Sequence, residues 1–198
     1  LILFTSDNGG TSTHNLPLKG DKGMFTEGGI RVPLIARWPG VIPANTVTDY
    51  KVHSVDYYPT CLELAGGQWM PDKDGHPLDG ESFVDILTKS DTNRERGAIF
   101  YLFPGYNGKR ARPCAVVIDD IKGKRYKLWY HFETCAWELY SLADDIGERK
   151  DLFNKHRDIA KTLSQKLGRW LDQKHPTWRP KYPLDKKAGK SIGPPPIL

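Results

Sequence analysis

Leu1-Ile-Leu-Phe-Thr-Ser-Asp-Asn-Gly-Gly10 opens the chain with an apolar run that turns polar and glycine-rich after Thr5. Such a run is typical of a buried strand in a parallel sheet, and functional residues often follow the carboxyl end of such a strand. Asp7 and Asn8 would then lie just beyond the strand. Because a natural chain rarely begins inside a core strand, we expect upstream sequence that was lost, cleaved or left out. The sheet edge at residues 1–5 would invite pairing with another chain.

Asp7 and Asn8 place a carboxylate and an amide oxygen side by side. Hard divalent cations take six to eight oxygen ligands, so this pair could supply part of such a shell. The same residues are also common in tight turns, since Asn-Gly favours positive φ. Both interpretations stay open on the residues alone.

A glycine-rich loop from about 6 to 29 carries Lys19, Lys22 and His14. Glycine lets the backbone approach a ligand closely, and a lysine held there suits sulfate or phosphate. The alternative is an exposed loop with solvated lysines. No Gly-Lys-Ser/Thr ending is present, so this is not a Walker loop. His14 could be an acid, a substrate contact or a plain surface residue.

Periodicity predicts the remaining elements. We expect a strand at 31–38, a helix through 57–64 capped by Ser54 or Asp56, and a short helix at 83–87. Four strands should follow, at 98–103, 113–118, 125–132 and 137–142, with a loop at 119–124 between the middle two. The last predicted element is an amphipathic helix at 155–173. The proline-rich end from residue 176 predicts no regular structure, only an extended wrap or loose tail. Trp129, Tyr130 and Trp137 could stack on a sugar, although alternating aromatics in strands are more often core.

Composition indicates a folded protein, with 38% hydrophobic residues and a net charge of +5 in 198 residues. The basic tail is either simply solvated or attracts a polyanion. The three cysteines match neither a zinc site nor a disulfide framework. No apolar run is long enough to span a membrane.

Three segments in order, 5–10, 18–23 and 27–33, resemble the second half of the type I sulfatases, the arylsulfatase family. Each segment is weak by itself, but the order and spacing are specific. Segments 56–66, 78–82, 137–142 and 145–148 are similar to downstream landmarks of that family. The resemblance covers residues 1 to about 173.

The resemblance implies an α/β fold of the alkaline phosphatase type, truncated here. Residues 1–95 would be the last part of the catalytic domain, 96–175 a subdomain of about four antiparallel strands and a helix, and 176–198 a tail. It also implies that Asp7 and Asn8 bind calcium and that Lys22 holds the sulfate and acts in catalysis. Lys19 and His14 fit a substrate-binding role less firmly.

The resemblance further implies a sulfuric ester hydrolase acting on a carbohydrate or aryl ester, with a formylglycine nucleophile. No Cys/Ser-x-Pro/Ala-x-Arg motif occurs in the chain. We therefore expect the chain alone to be inactive and to need an N-terminal half, as a separate chain or lost segment. A phosphodiester or phosphonate hydrolase and a noncatalytic polyanion-binding fragment are the alternatives. Partners would be a sulfated small molecule or glycan, without nucleic acid, in the periplasm, outside the cell or in a lysosome-like compartment.

Overall fold

Two compact units divide the chain in the computed structural model, which describes residues 1–70, 78–88, 94–174, 184–185, 190–191 and 194–198. The N-terminal unit consists of residues 1–5 and 33–97. The sheet unit consists of residues 6–32 and 98–198. The glycine-rich loop therefore groups with the later strands, although the chain reaches it directly from the first strand.

Strand β1 (Ile2–Thr5) pairs antiparallel with β2 (Leu34–Arg37) in the N-terminal unit. The prediction of a buried parallel strand at residues 1–5 was therefore wrong for this chain. Ile2 and Phe4 are 60% and 61% exposed. The physical reason is that β1 has one partner strand in this unit, and no described residue buries that face.

A 3-10 turn (Ser54–Asp56) leads into helix α1 (Tyr57–Leu64), as the periodicity predicted. Asp56, one of the two predicted caps, occupies the N-cap position of α1, but its carboxylate accepts from the His53 amide and makes no capping bond to the helix. Asp56 is fully buried and also pairs with Arg96 at 2.5 Å. Helix α2 (Val84–Thr88) follows.

Four antiparallel strands form the centre of the sheet unit, in the order β3-β4-β5-β6. They are β3 (Ile99–Phe103), β4 (Cys114–Ile121), β5 (Lys124–His131) and β6 (Ala136–Ser141). The four predicted strands are confirmed, but β4 and β5 extend into the predicted loop. Their connection is the two-residue turn Lys122-Gly123, where both φ angles are positive, as in the favoured hairpin turns.

Helix α3 (Arg157–Lys174) covers one face of this sheet, which confirms the predicted amphipathic helix. Its buried side chains recur every three or four residues, so they form one stripe. The stripe packs on inward-facing residues of β4, β5 and β6. The buried members of this core include Ile159, Leu163, Leu167, Leu171, Val117, Leu128, Phe132 and Leu139.

The opposite face of the sheet is covered by the end of the glycine-rich loop. Phe25 and Ile30 pack on a second core that includes Val116 and Trp129. The Phe25 ring lies 5.8 Å from the ring of Tyr101. A one-turn helix (Glu27–Ile30) and a 3-10 turn (Ser12–His14) are the regular elements of this loop. The sheet unit thus has helix, sheet and loop as successive layers.

Within the described residues beyond α3, the chain forms two short antiparallel strands, β7 (Leu184–Asp185) and β8 (Lys190–Ser191). The expectation of no regular structure was wrong for these residues. The end of the chain returns to α3, where the Leu198 amide donates to Ser164 Oγ at 3.2 Å. Residues 176–183, 186–189 and 192–193 of the predicted tail lie outside the described residues. Among the helices described, none has the length and apolar character needed to cross a bilayer.

Candidate anion-binding site

The glycine-rich loop is folded tightly on itself through backbone contacts. Gly9 donates to the Gly29 carbonyl at 2.9 Å, and Gly28 donates to the Lys19 carbonyl at 2.8 Å. A Cβ atom at Gly9 would lie 1.8 Å from the Gly28 oxygen, and one at Gly28 would lie 2.3 Å from the Gly20 oxygen. Glycine is therefore required at positions 9 and 28 by close backbone approach.

Asn15 organises the centre of the loop. Its Nδ2 lies within 3.0 Å of the carbonyl oxygens of Gly10, Gly20 and Gly28. These three carbonyls belong to segments far apart along the loop, so one amide group holds them together. The loop is consequently an ordered structure and not the solvated segment that glycine content alone would also allow.

Asp7 and Asn8 lie where the loop begins, and the Ser6 hydroxyl donates to the Asn8 carbonyl at 2.9 Å. The Asp7 side chain is exposed and Asn8 is half-buried. The Asp7 carboxylate has no hydrogen-bond partner in the described part of the chain, so its oxygens are available to a ligand. Among the described residues no cluster of three or more His, Cys, Asp or Glu could hold a metal. Asp7 and Asn8 thus offer part of an oxygen shell.

Lys22 has a fixed backbone and an exposed side chain. Its amide donates to the Gly10 carbonyl at 2.9 Å, and its carbonyl accepts from Arg110 at 3.3 Å. Within the described residues, the Lys22 ammonium has neither an ion pair nor a hydrogen bond. Lys22 therefore presents an uncompensated positive charge from a held position, which is what binding of an anion requires.

Lys19 and His14 are placed differently from Lys22. Lys19 donates to the Glu148 carbonyl at 3.3 Å and lies 5.5 Å from the centre of the Tyr140 ring. It borders an open cavity of about 560 Å³, whose lining contains neither Lys22 nor His14. His14 is exposed, and its Nδ1 lies 2.9 Å from Thr11 Oγ1. The structure therefore gives no contact that links Lys19 or His14 to Lys22.

A buried cluster of charges joins the loop to the sheet. Lys127 on β5 is fully buried, and its Nζ lies 3.0 Å from one oxygen of Glu27 and 3.0 Å from one oxygen of Glu148. Arg31 lies 3.3 Å from the other Glu27 oxygen. Two carboxylates and two cations therefore balance in charge, as buried ions require.

Hydrogen bonds complete this cluster. The Glu27 amide donates to Glu148 Oε2 at 2.7 Å, and Trp129 Nε1 donates to Glu148 Oε1 at 3.1 Å. Glu27 belongs to the loop, whereas Lys127, Trp129 and Glu148 belong to the later part of the sheet unit. Glu27, five residues after Lys22 in the sequence, thus attaches the segment that carries Lys22 to the sheet.

Sequence reasoning missed this cluster. A signal was present, because Lys127 occupies the same face of β5 as Trp129 and is flanked by aromatic and apolar residues. A charge at such a position needs a buried partner. The possible sugar-stacking role of Trp129, Tyr130 and Trp137 gains no support, since all three are at most 8% exposed and belong to the two cores.

Glu138 on β6 belongs to a second, half-exposed network beside Lys19. His131 Nε2 lies 3.4 Å from Glu138 Oε2, and the Tyr140 hydroxyl donates to the same oxygen at 2.8 Å. The contact with His131 is the main cause that lowers the pKa of Glu138 to about 2, with smaller contributions from Tyr140 and Lys19.

Comparison with known proteins identifies the chain's relatives. Residues 19–173 match the family model described as N-sulphoglucosamine sulphohydrolase, C-terminal. The chain belongs to the sulfatase family. The resemblance seen in the loop segments and downstream landmarks is thereby confirmed.

Curated relatives agree with this assignment. A sulfatase of Formosa agariphila is 38% identical over 181 residues, which cover 86% of this chain and 32% of the relative. Mouse arylsulfatase J is 44% identical over 210 aligned positions, covering 86% of this chain and 34% of the relative. The chain thus spans about a third of the length of these relatives.

Solved structures give the same fold. The protein named Ps i-CgsB, solved in complex with k-i-k-neocarrahexaose, superposes with a TM-score of 0.70 at 28% identity, covering 89% of this chain and 38% of that one. A putative sulfatase of Bacteroides thetaiotaomicron superposes with a TM-score of 0.66 at 20% identity, covering 90% and 38%. The predicted alkaline-phosphatase-like fold, truncated, with a small antiparallel sheet and helix, is confirmed.

Replacing Lys127 by Met should destabilise the sheet unit severely, because Glu27 and Glu148 would be left buried without their shared cation. Removing one partner of a buried pair costs about 3–5 kcal/mol of the free energy of unfolding. Urea denaturation would measure the loss. Lys124→Met, on the same strand, is the matched control; it removes an exposed ion pair with Asp144 and should lower the denaturation midpoint only slightly. Equal midpoints for both variants would contradict the role given to the cluster.

Ionisation of Glu138 should make the free energy of unfolding depend on pH in the acidic range. Its folded-state pKa of about 2 lies below the ordinary 4.5, so the ionised form contributes stability above pH 4.5 that is lost as the pH falls toward 2. Unfolding free energies of the original protein and of Glu138→Gln should therefore converge over that interval. A gap between the two that stays constant from pH 5 to about 2 would contradict the assignment.

Proposed function

We propose that this chain forms part of the active site of a longer sulfuric ester hydrolase that cleaves sulfate esters of carbohydrates or aryl alcohols. Membership of the sulfatase family supports the reaction class. The observation that carries the proposal is the geometry of Lys22. A rigid loop holds an exposed, unneutralised ammonium there, which suits a sulfate monoester.

In this proposal Lys22 binds the sulfate and stabilises negative charge as the ester bond breaks. Charge stabilisation of this kind is most effective when the donor is already in position before the reaction. Asn15 and the buried cluster at Glu27 maintain that position on either side of Lys22. Lys19 and His14 contribute to substrate binding only through the wider surface around the loop.

Asp7 and Asn8 would hold a calcium ion together with oxygen ligands from outside this chain. Calcium prefers carboxylate and amide oxygens, and the exposed Asp7 carboxylate beside the half-buried Asn8 fits that preference. When bound, the ion would polarise the sulfate as a Lewis acid and position the nucleophile.

The nucleophile would also come from outside this chain, as a formylglycine residue, and the chain by itself would be inactive. No cysteine here lies in the required motif. Burial raises the pKa of the Cys114 thiol to about 12, so that thiol stays protonated and unreactive. Cys61 and Cys135 are exposed, but neither is followed by the residues that the modification needs.

Two of the matched proteins support a carbohydrate substrate, although others, such as mouse arylsulfatase J, are named for aryl esters. One matched structure was solved with k-i-k-neocarrahexaose, and one relative is named an ulvan-active sulfatase of Formosa agariphila, 38% identical over 74 residues. The similarity to Ps i-CgsB extends over 89% of this chain. We propose a sulfated glycan as the natural substrate, without specifying its sugars.

Lys22→Ala should abolish most of the activity of the full-length protein. Loss of one positioned charge-stabilising donor costs about 10²–10³-fold in rate, and we expect kcat/KM for 4-nitrophenyl sulfate to fall by that factor. Lys150→Ala removes an exposed lysine elsewhere and should leave kcat/KM unchanged.

Faster cleavage of a phosphodiester than of the sulfate would favour the related phosphodiester or phosphonate hydrolases. Binding of sulfated glycan without any hydrolysis would favour a noncatalytic role.

Calcium dependence forms a separate test, based on Asp7. Treatment of the full-length protein with EGTA should abolish hydrolysis, and added calcium should restore it. Asp7→Ala should raise the calcium concentration needed for half-maximal recovery. Full activity of the chelated enzyme, or an unchanged calcium requirement in Asp7→Ala, would contradict the placement of the ion.

A further inference from the structure

A short turn rich in positive charge lies directly against the backbone of Lys22. The basic turn comprises residues 107–112, Asn-Gly-Lys-Arg-Ala-Arg, between β3 and β4. It carries three cations, whereas residues 98–118 contain no aspartate or glutamate. Neither the family assignment nor the proposed chemistry at Lys22 accounts for this concentration of charge.

The basic turn has a defined conformation. Asn107 and Ala111 exchange backbone hydrogen bonds of 3.0 and 3.3 Å, and the Arg110 amide donates to the Asn107 carbonyl at 2.9 Å. Gly108 has a φ of 53°, which closes the turn. The charged side chains therefore project from a fixed backbone, and binding of a ligand would not have to order it.

Arg110 connects this turn to the glycine-rich loop. Its guanidinium donates to the Lys22 carbonyl at 3.3 Å, and a Cβ at Gly23 would lie 3.5 Å from Arg110 Cδ. Arg110 thus runs along the Lys22-Gly23 backbone, and the residue is exposed to solvent. One hydrogen bond leaves most of the five guanidinium N–H groups available.

The positive charge of Arg110 and Lys109 is not neutralised locally. Both are exposed, and no carboxylate of the described residues forms an ion pair with either. Glu133, a carboxylate near the basic turn, is engaged by the Tyr106 hydroxyl at 2.9 Å and by Arg112 at 3.9 Å. Arg112 is therefore partly neutralised, whereas Arg110 and Lys109 remain able to attract an anion.

We infer that Arg110, assisted by Lys109, forms a second anion subsite that binds a sulfate or carboxylate group on a sugar adjacent to the one held at Lys22. This inference rests on the proposed sulfatase function and makes it more specific. The enzyme would act on glycans with anionic groups on neighbouring sugars. Arg110 determines specificity, because a substrate with a single anionic group cannot use it.

The test compares two double variants of the full-length protein. Lys109→Gln/Arg110→Gln removes the subsite, and Lys155→Gln/Lys161→Gln removes two exposed lysines near or on α3, on the other face of the sheet. The probes are a heparin hexasaccharide and a carrageenan hexasaccharide, with 4-nitrophenyl sulfate as the substrate that cannot reach the subsite. Calorimetric binding and hydrolysis are measured for each, and melting temperatures verify folding.

The subsite variant should bind at least one hexasaccharide about tenfold more weakly than the control variant, a loss of about 1.4 kcal/mol. Its kcat/KM for 4-nitrophenyl sulfate should fall by a much smaller factor, because this substrate does not reach the subsite and loses only the support that Arg110 gives to the Lys22 carbonyl. The single variant Arg110→Lys keeps the charge but not the planar fork, and it should recover part of the affinity.

Two results would overturn the inference. Equal hexasaccharide affinities for the two double variants would show that the turn binds no anion. An equal loss for the hexasaccharides and 4-nitrophenyl sulfate would show that Arg110 acts only by holding the Lys22 backbone. Failure of the proposed sulfatase function would give a different result, because neither the original protein nor any variant would then hydrolyse a sulfate ester. The difference in hexasaccharide affinity between the two double variants, measured by calorimetry, would still test the subsite.

Discussion

The ion cluster of Lys127, Glu27 and Glu148 is the interaction on which the arrangement of the sheet unit depends. It is buried, its charges balance, and its oxygens also accept from Trp129 and from the Glu27 backbone. A buried ion pair adds little net stability relative to well-packed apolar residues, because desolvation offsets the attraction. Its geometry is demanding, however. Docking of the loop brings Glu27 to the ammonium that Glu148 also contacts, and it brings the Glu27 amide to Glu148, so the cluster favours this docking.

The cluster explains how a long loop can hold the backbone of Lys22 in one position. An unsupported segment of this length would lose much conformational entropy on binding a ligand. In this chain the conformational entropy of the loop is lost when the protein folds, because Asn15 fixes the centre of the loop and the ion cluster fixes its end. Phe25 and Ile30 add apolar contacts on the same face of the sheet. Lys22 lies between these attachments, and its ammonium is therefore positioned before any anion arrives.

Short-range sequence patterns predicted the regular elements of the chain and the motif segments. They did not predict contacts between residues that are far apart in the sequence. Alternation placed the four strands, and the helical stripe placed α3, because each depends on neighbours within a few residues. Glu27 meets Lys127 across 100 positions, and Arg110 meets Lys22 across 88. No periodicity specifies which charges meet over such separations. The exposure of Ile2 and Phe4 was missed for a related reason, since an apolar run indicates a preference for burial but not whether a covering layer is present.

The surroundings of each cation in the sheet unit indicate what it can do. Lys127 is buried and fully compensated, so it contributes to structure and cannot attract a ligand. Lys19 is directed to the Glu148 carbonyl and the Tyr140 ring, which reduces its availability. Lys22 and Arg110 are exposed, uncompensated among the described carboxylates, and adjacent through the Lys22 carbonyl. An anionic ligand that reached both side chains would neutralise two positive charges that the described carboxylates leave unpaired. The fold therefore leaves these two cations available to the anionic groups of the proposed substrate.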